Sequence, residues 1–307
     1  MKRSLVGAIL LLSMVLGPLH AERVPGTNVN LQPPAGFAPA DNFPGFQSAG
    51  QQASIMVNQL PAPVAEVMKG MNKESLAARG MTLISSSTEK VNGQDALLLH
   101  LAQAAGGVEY LKWMLLTGDP QTTYLIVGTF PKSAGEEVGA AIRAALLTTR
   151  VEIRGPDNPF EGLLFRITPT PALKISSRVS NMLVLTETGM AGTVAPGAPI
   201  YIVGSSIGPP GSTDLKAFSE ARAGQTEQIT DLKNVNGREI TLGGLAAWEL
   251  VADATGVKSG IPVRLYQVIA PDGDGYFIIQ AFISIERADA MLPEFRRVTE
   301  SFVKVGE

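Results

Sequence analysis

The chain has 307 residues, with 25 Lys and Arg against 28 Asp and Glu, two His, no Cys and 45% hydrophobic residues, for a net charge of -3. The near-neutral balance supplies no basic excess for nucleic acid, and the lack of Cys removes disulfides, thiol nucleophiles and thiolate metal sites together. The length suggests two domains, each large enough to bury a core without cross-links.

Lys2 and Arg3 precede an apolar run, Leu5 to Leu16, interrupted only by Gly7 and Ser13, and Gly17-Pro18-Leu19-His20-Ala21 follows. A basic start, a short apolar stretch and a small residue at the cut make a secretory signal peptide, with cleavage expected after Ala21. The run is shorter than the roughly 20 apolar residues that span a bilayer. No Cys follows it to carry a lipid. A mature chain of about 286 residues and charge about -5 is therefore expected in a bacterial periplasm or outside the cell, with no integral membrane segment after cleavage.

Residues 22–28 read as a flexible mature N-terminus. Val29-Asn30-Leu31 alternates as a short strand and stops at Pro33-Pro34. The Gly, Pro and Ala of 35–52 predict a loop with a short strand near Phe43 to Phe46, and Ala53 to Asn58 is a compact apolar strand. Pro63 suits the first turn of a helix. Val64, Val67, Met68 and Met71 share one face of it, and Gly80 is the expected left-handed cap. The face reads as core packing. Met81 to Val91 and Ala96 to Gln103 are strands about an Asn92-Gly93 turn. Val108 to Arg150 then supplies a strand through Trp113, Met114, Leu115 and Leu116, a break at Gly118-Asp119-Pro120, a strand through Tyr124 to Val127, and a helix carrying Val138, Ile142, Ala145 and Thr149.

The same syntax returns 153 positions later. Tyr266, Val268 and Ile269 precede a Pro271 to Gly275 turn, then come Phe277, Ile278 and Ile279, then Met291, Phe295, Val298 and Phe302 at helical spacing. Between the copies, Glu152 to Phe160 holds Gly, two Pro, Asp and Asn and marks a linker. The second copy opens with Phe165-Arg166-Ile167 before Pro169 and Pro171, followed by strands at Met182 to Thr186 and Pro199 to Val203. Ser212, Thr213 and Asp214 offer N-caps for a helix with Leu215, Phe218 and Ala221, ended by Gly224. Val235-Asn236-Gly237 repeats Val91-Asn92-Gly93, after which the register slips by about nine residues, as if a hairpin extension were inserted at Glu239 to Gly244. Ala247 to Ala252, with Trp248, is the returning strand. The predicted class is α+β: two tandem α/β/α sandwiches, each a mainly antiparallel sheet packed by helices, over 27–151 and 161–305 with a linker at 152–160.

The stretches Val29 to Phe37, Ala53 to Gly80, Asn92 to Ala102 and Val108 to Val151, with counterparts through Val303, carry a resemblance. Their order resembles the PsbP-like α/β/α sandwich, the fold of the photosystem II extrinsic protein and of secreted bacterial relatives of the DcrB type. It covers most of the mature chain as two copies. The resemblance implies a non-enzymatic extracytoplasmic binding or assembly role, with no ligand motif to carry onto particular residues.

Gly204-Ser205-Ser206-Ile207-Gly208 matches a nucleophile elbow, but that motif needs a helix directly after it. Pro209-Pro210-Gly211 forbids the helix, and no His follows His100. His100 lies on a strand, sharing a face with Leu98, and reads as a sheet-surface side chain. Asp272-Gly273-Asp274-Gly275 lacks the acidic residue that a calcium loop wants at Ile283 and reads as a turn. Trp113, Tyr266 and Trp248 read as core; Arg143 and Arg296 match in the last helices and are expected near Glu137 and Glu294. There is no phosphate loop, dinucleotide fingerprint or zinc spacing.

No catalytic, cofactor-binding or metal-ligating residue is assigned. The expected partner is a protein or small ligand of the cell envelope, taken between the domains near Glu152 to Phe160. One alternative is a hydrolase using carboxylates such as Glu109, Glu249 or Asp253, which needs two acids converging with separated pKa values. Another is a structural component of an envelope assembly. The features not shared by the copies (His100, the Ser205-Ser206 loop and the Asp272 to Asp274 turn) are the places where side-chain function is expected to lie.

Overall fold

Alternation is clearest in Ala53–Leu60, where Ala53, Ile55 and Val57 are buried and the residues between them are not. Such a strand covers one side of a sheet at a time, and the helices of this chain cover both. In the computed structural model, which describes residues 21–152, 158–192 and 194–305, the strands form two seven-stranded antiparallel sheets of identical order. Residues 1–20 of the expected signal peptide and 153–157 of the expected linker lie outside the described residues.

The first copy runs β1 (Glu22–Arg23), β2 (Val29–Leu31), β3 (Ala38–Pro39), β4 (Gly45–Ser48), β5 (Ala53–Leu60), α1 (Val64–Lys69), α2 (Lys73–Ala77), β6 (Met81–Val91), β7 (Gln94–Ala105), β8 (Val108–Gly118), β9 (Thr123–Pro131), α3 (Glu136–Leu147) and β10 (Arg150–Val151). Its large sheet is ordered β3-β4-β5-β9-β8-β7-β6, and β1-β2-β10 form a small side sheet. The second copy runs β11 (Phe165–Arg166), β12 (Lys174–Val179), β13 (Met182–Thr186), β14 (Ile200–Ser205), α4 (Leu215–Gly224), β15 (Ile229–Leu242), β16 (Leu245–Gly256), β17 (Pro262–Asp272), β18 (Gly275–Ser284), α5 (Ala288–Glu300) and β19 (Val303–Lys304). Its sheet is ordered β12-β13-β14-β18-β17-β16-β15, with β11 paired to β19.

The duplication extends to the pairing register. Trp113 faces Gly128 across β8 and β9, and Tyr266 faces Ala281 across β17 and β18, at the same 153-residue offset. On one side of the first sheet Leu98, Leu115 and Ile126 pack against Ile142 and Leu146 of α3. On the other, Leu99, Leu101, Met114 and Leu116 pack around Leu76 of α2. In the second sheet Tyr201, Tyr266, Val268 and Ile279 meet Phe295 and Val298 of α5, while Leu250, Ala252 and Leu265 meet Ala223 of α4. Each copy is a sheet between two helical layers.

Four details differ from the sequence reading. Residues 22–28 are not a free tail: β1 pairs with β2, and Val24 is fully buried. The helix expected from Pro63 to Gly80 is two short ones, because Asn72 caps a new start by accepting from the Ser75 N–H at 2.9 Å. Gly80 keeps its positive φ of +71° but turns the chain into β6. The strand placed at Phe43 to Phe46 is β4, two residues later.

The fourth correction concerns the second copy. There is no inserted hairpin at Glu239 to Gly244. Strand β15 runs unbroken through Asn236-Gly237, and its turn is Gly243-Gly244, with φ of +55° and +88°. The real counterpart of Asn92-Gly93, with φ of +53° and +79°, is therefore the glycine pair. The extra residues go into a longer edge strand with two bulges, where Asp231 and Asn234 take positive φ. Gly237 has a packing reason instead of a turn reason: a Cβ there would sit 2.4 Å from the Trp248 indole nitrogen.

Candidate functional site at the domain seam

Three short stretches build the contact between the copies. Arg23, in β1, donates from Nη1 to Oε1 of Glu161 at 2.6 Å. The Pro25-Gly26-Thr27 turn lies on the guanidinium of Arg178, and a Cβ at Gly26 would fall 2.2 Å from its Nη1. The β12–β13 turn supplies Ser180 and Asn181, with Ser180 held at a left-handed φ of +54°. A non-glycine residue there carries strain that the surroundings must impose.

The hydrogen bonds explain how it is imposed. Arg178 Nε donates to the Ser180 carbonyl at 2.8 Å, and Arg178 Nη1 donates to the Glu161 carbonyl. Asn181, 5% exposed, donates from Nδ2 to the Asn42 carbonyl at 3.2 Å, to Ser205 Oγ at 3.1 Å and to the Ser205 carbonyl. Asn42 in turn donates to the Ile207 carbonyl at 3.4 Å. Two polar atoms of this turn are buried without a partner: Arg178 Nη2 and Ser180 Oγ. Burial pulls the Arg178 pKa down to about 10, against the opposing charge of Glu161.

A cavity lies on each side of the seam. The first, about 430 Å³, is walled by Val57 and Gln59 of β5, by Ile175 to Arg178 of β12, and by Ser180 and Asn158. Arg178 is its only charged lining residue among the described residues. The second, about 390 Å³, takes Asp41 and Asn42 from the first copy and Ser205, Ser206, Asp272 and Asp274 from the second. Two of the three unshared features thus meet at the seam. The Ser206 N–H donates to the Tyr276 carbonyl at 2.7 Å, and the Tyr276 N–H donates to Ser206 Oγ at 2.9 Å, tying the loop to the β17–β18 hairpin. That hairpin pairs Asp272 with Gly275 and has Gly273 at φ +55°, and Asp272 meets Lys304 at 2.8 Å. After Ser205 the chain makes no helix until Leu215, so the elbow geometry is not formed.

His100 lies away from the seam, on β7, stacked on Trp113 with ring centroids 4.2 Å apart and planes 11° apart. Burial lowers its pKa. The Arg143 guanidinium stands 5.6 Å from the Trp113 ring centroid and bonds Glu89 at 2.7 Å. The acids expected beside the matched arginines are corrected accordingly. Arg143 pairs with Glu89 and Arg296 with Glu249, because both arginines reach back to the sheet; Glu294 pairs with Arg297 one turn along its own helix. Tyr266 is fully buried, whereas Trp113 and Trp248 are half-buried.

The three carboxylates named for a hydrolase do not converge. Glu109 is an exposed partner of Lys132 at 3.0 Å in the first copy. Glu249, 3% exposed, receives Arg296 Nη2 at 2.8 Å, Arg238 Nε at 2.9 Å and the Tyr266 hydroxyl at 3.3 Å. Asp253 takes Arg264 at 2.6 Å and Asn234 at 2.7 Å. Glu249 and Asp253 sit four residues apart on β16, about 13 Å at about 3.3 Å per residue. Burial alone would raise the Glu249 pKa, but the bonds from Arg296 and Arg238 more than reverse this; the Asn234 bond and then Arg264 hold Asp253 low. Both are kept as anions, which is the opposite of a split acid and base pair. Among the described residues no group of three or more His, Asp or Glu could hold a metal ion, and no helix is long and apolar enough to cross a membrane.

The sequence reading missed β12 and with it Arg178, Ser180 and Asn181. Lys174–Val179 is too polar to announce a strand, but Ser180-Asn181 between Ile175 and Leu183 is a turn dipeptide that marks the hairpin.

No family model matches the sequence, and no curated protein is significantly similar to it. Among solved structures, LpqN, involved in cell envelope biogenesis of Mycobacterium tuberculosis, aligns at 15% identity over 46% of this chain and 83% of its own, with a TM-score of 0.32. The immunity protein TplEi of T6SS from Pseudomonas aeruginosa aligns at 9% identity over 87% of this chain and 96% of its own, with a TM-score of 0.34.

Proposed function

We propose that this chain is a secreted bacterial envelope protein without catalytic activity, made of tandem PsbP-like domains, that takes a protein partner or small ligand at the seam between them. The signal-type N-terminus and the disulfide-free mature chain support the compartment. The observation that carries the reading is the convergence at the seam. Two cavities, a strained Ser180 and two of the three unshared loops lie there, whereas the repeated strands and helices are filled with core side chains.

The lack of Cys gives a clean test. Ser177→Cys places a photoreactive label in the larger cavity, and Lys90→Cys places one on the exposed β6–β7 hairpin. On illumination in envelope extract, the Ser177 label is expected to give a discrete adduct that excess unlabelled protein suppresses, with none from Lys90. Equal adducts from both positions, or none from Ser177, would overturn the reading.

A further inference from the structure

We propose that the larger seam cavity binds a carboxylate, held by Arg178 and Ser180. The inference rests on the seam being the binding site and names the chemistry of its ligand. Arg178 Nη2, near the end of β12, and Ser180 Oγ, in the turn that follows, are buried donors with no partner. Buried polar groups are normally satisfied, so each unpaired one asks what would complete it. Both belong to residues lining the same cavity. The φ of +54° at Ser180 is that of the first position in the two-residue β12–β13 hairpin, which sets Ser180 two residues beyond Arg178 at the end of β12.

The charge count selects an anion, and the donor count selects which one. No acidic side chain is among the described residues lining the cavity. The one nearby acid, Glu161, bonds Arg23 through its carboxylate and Arg178 through its carbonyl, and its charge offsets only part of the desolvation of Arg178. Desolvation already disfavours the Arg178 cation, which an incoming negative charge would relieve. Arg178 spends Nε on Ser180 and Nη1 on Glu161, which leaves the Nη2 edge. One guanidinium edge and one hydroxyl match the two oxygens of a monoanionic carboxylate. A phosphate dianion would find one cation and no helix N-terminus lining the site. The remaining walls mix apolar Val57, Pro61, Pro159 and Ile175 with polar Gln59, Thr122 and Asn158, which suits a short body of mixed polarity behind the carboxylate. At about 430 Å³ the space lies within the ~300–1,000 Å³ usual for ligand pockets. To reach Nη2 the ligand must displace the Gly26 turn, so binding and movement of that turn are coupled.

The test is a nuclear magnetic resonance titration of the full mature chain at constant ionic strength, reading the Arg178 Nε–H and Ser180 amide signals. The probes are acetate, tri-alanine, tri-alanine amide and inorganic phosphate. Tri-alanine is expected to give saturable shifts at both signals, and its amide to bind at least tenfold more weakly. Affinity for tri-alanine above that for acetate identifies a peptide terminus as the source; equal affinity identifies a small organic acid. Arg178→Lys should weaken binding at least tenfold. Because the Gly26 turn of the first copy also packs on Arg178, Ser180→Ala is the second variant, expected to cost about threefold or more with the rest of the spectrum unchanged. Absence of saturable shifts, equal binding of the amide, tighter binding of phosphate, or unchanged affinity in Ser180→Ala would overturn the proposal. An adduct at Ser177 with no carboxylate response would remove this inference while leaving the seam as the binding site.

Discussion

Phe295→Ala is expected to destabilise the second domain by about 3–5 kcal/mol, the usual cost of truncating a buried phenylalanine. The ring is fully buried in α5, with its centroid 6.1 Å from that of Tyr201 and 6.0 Å from that of Tyr266. Those two rings approach from β14 and β17, so the cavity left behind is walled by rigid strands and closes poorly. The counterpart in the first copy, Ile142, packs against Gly128, where a Cβ would fall 2.1 Å from its Cγ2. The first helix thus gains its contact by close approach to a glycine, and the second by inserting a ring. Trp113 lies in the first copy and Trp248 in the second, so in a Trp113→Phe background urea unfolding followed by fluorescence reads the second domain alone. A loss below about 1 kcal/mol would show that α5 is not packed as described.

Glu249→Gln is expected to cost about 2–3 kcal/mol near neutral pH, below the range for a fully buried pair because both arginines are partly exposed. Glu249 itself is 3% exposed and anchors Arg238, Arg296 and Tyr266, whose hydroxyl also meets Thr299 at 3.2 Å. The amide keeps the shape, removes the charge and leaves two cations facing a neutral group. The pH dependence follows from the lowered folded-state pKa. A carboxylate lowered by folding contributes stability that is fully present above its unfolded pKa, about 4.3, and is lost as the pH falls through the lower folded value. The gap between wild type and Glu249→Gln should therefore be constant from about pH 6 to 8 and narrow as the pH drops below about 4. A gap that widens on acidification would contradict the assignment of Glu249 as a buried anion.

The legible part of the fold was the part with strong periodicity. The 153-residue offset read from Trp113 and Tyr266 is the offset of the strand pairing itself. Asp214 was foreseen as a cap, and it accepts from the Ala217 N–H at 3.0 Å. Local signals failed where tertiary context decided. Asn236-Gly237 has the residues of a turn, yet it lies inside β15, since the Trp248 indole needs a glycine beneath it and Gly243-Gly244 makes the turn instead. Residues 22–28 looked free because Arg23 and Val24 find their partners only across the fold, at Glu161 and in the first core.

The site was half legible, for the same reason. The Ser205-Ser206 loop and the Asp272 to Asp274 turn stand out because one copy has them and the other does not, and the fold brings them to one cavity. His100 stood out equally and lies elsewhere, stacked on Trp113. Ser180-Asn181 announced only a hairpin turn, and Arg178 gave no signal, since an unpaired N–H shows itself only in the folded chain.

Hydrogen exchange distinguishes partner engagement at the seam, as proposed, from engagement elsewhere on the fold. The mature chain recovered in complex from envelope extract is compared with the free chain, peptide by peptide. Slowed exchange is expected in 57–61, 175–181 and the 25–27 turn, with the exposed edge strand β15 unchanged. Slowing confined to β15 or to the α3 and α5 faces, with the seam peptides unaltered, would contradict engagement at the seam.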